Sequence, residues 1–174
     1  MKSILLSHHP DCDKFAINHT INVGKYRFCI GCFVGYPTAI IGILALYFLN
    51  LVKIFDSLFL LAIALILLAT FFLSPLNLTK IKTIKIIQKF LIGLGSAFLF
   101  WYIWSLPNSF IVNFLYFSFI FGTLLTLLNI YHSYGFYKVC KKCEHSMNWN
   151  NCPGFKRINE CFKKHHMKFA FRTS

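Results

Sequence analysis

The chain has 174 residues, of which 57% are hydrophobic and only 13% charged, with a mean hydropathy of +0.61. A charged share so far below the ~25% of soluble domains excludes an ordinary water-soluble globule and points to a bilayer. Eighteen basic residues against five acidic ones give a formal net charge of +13, which suits an anionic lipid surface better than nucleic acid in so apolar a chain.

Residues 1–32 are polar and form a small Cys/His segment holding His8, His9, Cys12, His19, Cys29 and Cys32. The opening Met1-Lys2-Ser3-Ile4-Leu5-Leu6-Ser7 has no long apolar run and no small-residue cleavage site, so no signal peptide is expected. His9, Cys12, Cys29 and Cys32 follow the spacing H-x2-C-x16-C-x2-C. That spacing predicts a zinc knuckle, because a C-x-x-C turn presents two thiolates to one ion and Gly31 lets backbone approach the sulfurs.

Residues 33–131 predict four transmembrane helices, with spans at about 33–52, 55–73, 86–104 and 110–131; roughly twenty apolar residues cross ~30 Å of hydrocarbon. Pro37 falls in the first turn of span one, where a missing amide costs nothing. Asn77 to Lys85 alternates lysine with aliphatics and reads as a headgroup loop with Thr79 as a helix N-cap. Trp101-Tyr102-Ile103-Trp104 reads as an aromatic belt at headgroup level. Residues 132–174 form a basic, cysteine-bearing tail.

Four spans put both termini and the middle loop on one side. That side carries seventeen of the eighteen basic residues, with Lys53 alone opposite. The positive-inside rule then places both termini in the cytoplasm and the chain in the cell membrane as a multi-pass protein. Cytoplasmic thiols stay reduced, so metal ligation is expected rather than a disulfide framework. The tail repeats the ligand chemistry in Cys140, Cys143, Cys152 and Cys161, spaced C-x2-C-x8-C-x8-C, with His145, His165 and His166 nearby. One or two zinc ions are therefore expected. Either each terminal segment closes its own site or the two C-x-x-C pairs share one ion; loop-closure entropy favours local closure. Acylated, redox-active or simply buried cysteines are the competing readings.

No catalytic motif is present, and five carboxylates leave few candidates for acid–base chemistry. The interiors of the spans lack Asp, Glu, Lys and Arg, which argues against transport by a single subunit. Asn50, Asn113, Asn129 and His132 lie at or near the spans and read as interhelical or headgroup hydrogen-bonders. Small residues four apart predict helix contacts at Gly35/Ala39, Thr38/Gly42, Gly93/Ala97 and Ser118/Gly122/Thr126. The leucine-rich span two is then expected to show the most lipid-facing surface.

The run His9-x-x-Cys12, Ile21-Asn22-Val23-Gly24 and Phe28-Cys29-x-x-Cys32-Phe33-Val34-Gly35-Tyr36 resembles a family of small prokaryotic multi-pass membrane proteins of unknown function. In these an N-terminal Cys/His segment leads through C-x-x-C-x-G-x-Y into several spans. The resemblance covers the first third of the chain and implies topology and a shared N-terminal module, not a reaction. The expectation is an all-α, non-enzymatic membrane protein with structural zinc on its cytoplasmic face. That face would bind a protein partner or anionic lipid. A membrane thiol oxidoreductase using Cys29 and Cys32, and a small oligomeric channel or carrier, are the alternatives.

Overall fold

The computed structural model describes residues 19–24, 26–76 and 78–144, together with positions 152, 156 and 160. The chain divides into two compact units: Met1–Cys29 with Leu128–Ser174, and Ile30–Leu127.

The first unit contains an antiparallel hairpin of β1 (Thr20–Val23) and β2 (Tyr26–Cys29), in which Thr20 pairs with Cys29 and Val23 with Tyr26. A two-residue connection joins the strands, and Gly24 takes φ +58, a left-handed conformation that glycine adopts without a Cβ penalty. This hairpin corrects the all-helical expectation. Thr20-Ile21-Asn22-Val23 and Tyr26-Arg27-Phe28-Cys29 alternate β-branched or aromatic residues with polar ones around a glycine turn, which is a strand pattern.

The second unit is helical. A π-helical turn at Gly31–Gly35 runs straight into α1 (Tyr36–Phe48), with Pro37 in its first turn. Asn50, left-handed at φ 54, stops this helix as asparagine tolerates. The short α2 (Leu51–Ile54) and extended Phe55 lead to α3 (Ser57–Ala69), which tightens into a 3-10 turn at Thr70–Leu73 before Pro75. A further 3-10 turn at Leu78–Lys80 precedes α4 (Lys82–Ser105), and a brief connection leads to α5 (Phe110–Lys141).

Three helical stretches, Gly31–Phe48, Lys82–Ser105 and Phe110–Lys141, are long and apolar enough to cross a membrane; Ser57–Leu73 is a shorter apolar helix. Two predicted boundaries shift. α4 begins at Lys82 with Ile81 at its N-cap position and no side-chain cap, so Thr79 does not cap it. α5 continues ten residues beyond residue 131, because nothing between Tyr131 and Lys141 breaks a helix.

α4 is the centre of this unit. Its Gly93 and Ala97 meet α1: a Cβ at Gly93 would lie 2.5 Å from the Gly35 carbonyl oxygen and 3.0 Å from Thr38 Cβ, and one at Gly42 would lie 2.9 Å from Ala97 Cβ. The predicted small-residue contacts of spans one and three are thus the ones this packing uses. On another face, Gly95 admits Leu67 and the Ala64 carbonyl of α3. Ala64, Leu99 and Ile103 form a buried cluster, against which Phe117, Ile120, Phe121 and Leu124 of α5 pack at helical spacing.

The expectation for span two is reversed. α3 buries Leu60 and Ala64, whereas the only buried residue of α5's thirty-two is Asn113. Ser118, Gly122 and Thr126 are exposed on α5, and a Cβ at Gly122 would meet nothing within 4 Å.

Polar side chains tie the helix ends. The buried Gln88 amide donates to the Thr70 carbonyl at 2.8 Å and exchanges hydrogen bonds with Ser74, holding the frayed end of α3 against α4. Asn113 accepts from Asn108 and donates to the Leu106 carbonyl, closing the α4–α5 turn. Trp101 also ties α4 to α1: its indole donates to the Ile43 carbonyl at 3.0 Å, and its ring stacks on Tyr47.

Candidate metal centre

The C-x-x-C pair sits where two backbone geometries meet. Cys29 ends β2 and is 6% exposed, its position set by the ladder pair with Thr20. Cys32 lies half-buried in the π-helical turn. Cys140 is in the last turn of α5, and Cys143 follows it, its amide donating to the Cys140 carbonyl at 3.2 Å. Cys152 is half-buried. All five are thiols. The remaining predicted ligands, His9, Cys12 and Cys161, lie outside the described residues, as do His8, His145, His165 and His166.

Among the described residues no three of the His, Cys, Asp and Glu side chains converge on one point. The structure does bring one pair of imidazoles together. His19, the residue before β1, and His132, on α5, have ring centroids 5.6 Å apart with ring planes at 77°. Both belong to the first unit. Sequence reasoning left His19 without a role and gave His132 a headgroup or interhelical one. No spacing rule links residues so far apart in the chain. The one available signal was that each lies beside a cysteine-bearing segment.

The fold therefore defines a mostly helical protein with three helices long and apolar enough to cross a membrane, and a second compact unit drawn from both ends of the chain. No protein-family model matches the chain, and no curated protein or solved structure matches it. The signature of the resembling family also differs in detail here: Phe33 and Val34 separate Cys32 from Gly35, and Tyr36 follows directly.

Proposed function

We propose that this is a four-span, non-enzymatic membrane protein whose termini share the cytoplasmic face, where structural zinc holds a surface that binds a protein partner or anionic lipid. The observation that carries the reading is the union of Met1–Cys29 with Leu128–Ser174 in one compact unit. Segments that fold together lie on one side, so an even number of crossings must separate them. Three long apolar helices alone give an odd number; Ser57–Leu73 makes it even. Thirteen α-helical and four 3-10 residues extend about 28 Å, close to the ~30 Å hydrocarbon thickness. The lysine distribution supplies the direction.

The same union favours zinc. It puts Cys29 in one unit with Cys140, Cys143 and Cys152, in a chain where Ile30–Leu127 carries Cys32 as its single cysteine. A closed tetrahedral zinc site contributes folding free energy where ligands from separate segments meet on one ion. The burial of Cys29 disfavours the oxidoreductase alternative, since a redox thiolate must meet its substrate.

Two measurements test this. A membrane-impermeant amine reagent applied to intact cells should modify Lys53 and spare the tail lysines; the reverse pattern overturns the topology. Elemental analysis of the purified full-length protein should find one or two zinc ions per chain, and a metal-free but folded protein overturns the structural role.

A further inference from the structure

We propose that His19 and His132 together form a second, distinct metal site: a two-imidazole chelate for a divalent ion of the zinc–copper class. Neither residue belongs to the cysteine-based ligand set, and the site stands or falls separately from it. Imidazole nitrogen bonds such ions at ~2.0–2.1 Å, and the ring centroid lies ~1.1 Å behind the nitrogen, so each centroid stands about 3.2 Å from the ion. Two rings on one ion, at angles between tetrahedral and trigonal, then have centroids about 5.2–5.5 Å apart. The observed separation is 5.6 Å.

The relative orientation agrees. Planes at 77° are far from a stacked pair, so the rings are not held face to face. The histidine χ2 torsion is broad, so ring rotation is the motion that brings two nitrogen edges onto one ion. The supports on either side are regular elements. The hairpin register pins the backbone beside His19 through the Thr20–Cys29 pair, and α5 carries His132 in continuous helix. Ligands on a strand terminus and a helix hold their geometry better than ligands on loops. Both side chains are half-buried, so an ion reaches them while part of its shell remains water. Two imidazoles fill half of a tetrahedral shell, and the remaining positions are taken by water, a small anion or a further side chain. Metal bound there fastens the N-terminal hairpin to the C-terminal half of α5.

The test uses the full-length protein in detergent, stripped of metal and then titrated with Zn2+ alone. Wild type should bind one more equivalent than His19→Gln, than His132→Gln and than the double variant, with all three variants equal to one another. Equal stoichiometry in all four proteins overturns the proposal and leaves the pair as ring packing only. A second measurement needs no variant: in the stripped wild type the imidazole resonances of His19 and His132 in nitrogen–proton correlation spectra should shift together during the Zn2+ titration. Imidazole resonances of the pair that stay unmoved to the end of the titration also overturn it. Zinc retained by the cysteines in the double variant distinguishes failure of this site from failure of the structural-zinc reading.

Discussion

Gly93→Ala and Gly122→Ala are the same chemical change in two long apolar helices, and the structure gives them opposite outcomes. At Gly93 the new Cβ would lie 2.5 Å from the Gly35 carbonyl oxygen and 3.2 Å from the Ala39 nitrogen, both backbone atoms that cannot rotate away. An ordinary carbon–oxygen contact is ~3.3 Å, so α1 and α4 must part by about 0.8 Å. Overpacking of this kind costs about 1–3 kcal/mol. At Gly122 nothing lies within 4 Å, so that substitution carries only the helix-propensity gain of about 0.5–1 kcal/mol. The same gain applies at Gly93 and cancels in the comparison. The difference between the two variants is therefore the overpacking cost alone, about 1–3 kcal/mol. Reversible unfolding in mixed micelles, followed by circular dichroism, measures it. Variants equal within about 0.5 kcal/mol would refute the α1–α4 contact as the reason for glycine at 93. In the same assay Gly93→Leu should destabilise more than Leu65→Phe, because Leu65 is exposed on α3.

Gln88→Leu removes the amide that holds the end of α3 and should lower stability by about 1–2 kcal/mol in that assay; no loss would mean the Thr70 and Ser74 hydrogen bonds are dispensable. Asn113→Leu opens the α4–α5 turn and should lower the thermal midpoint, while Asn129→Leu, exposed on the same helix, should not; identical shifts contradict this assignment. A chain ending at Tyr137 should keep one zinc through Cys12, Cys29, Cys32 and His9 or His8, and Cys32→Ser should then release it. Zinc lost on truncation, yet kept by the full chain when Cys12, His8 and His9 are all replaced, would instead mean that the two C-x-x-C pairs share one ion.

Much of this protein was decided residue by residue. An apolar run in lipid must satisfy its backbone internally and so becomes a helix, which is why the four apolar segments were readable, three to within about four residues, while α5 runs ten residues past its expected end. The small pairs Gly35/Ala39, Thr38/Gly42 and Gly93/Ala97 were readable for a related reason, since close approach of backbones requires small side chains whatever the partner. The hairpin at Thr20–Cys29 was readable too, in its alternation and its Gly24 turn, but the cysteines and histidines drew that segment toward a knuckle instead.

What only the tertiary structure decided is the choice of neighbours. Leucine is as apolar as a lipid tail, so hydropathy cannot separate a helix face that meets protein from one that meets lipid. That is why α3 proved well packed and α5 largely exposed, and why Ser118, Gly122 and Thr126 carry the small-residue pattern without a helix against them. Ligand chemistry follows the same division. Cysteine and histidine announce their affinity for metal by type and local spacing, but His19 meets His132 only because the two ends of the chain fold into one unit. No local pattern encodes such a meeting; convergence of residues from distant segments is a property of the folded chain.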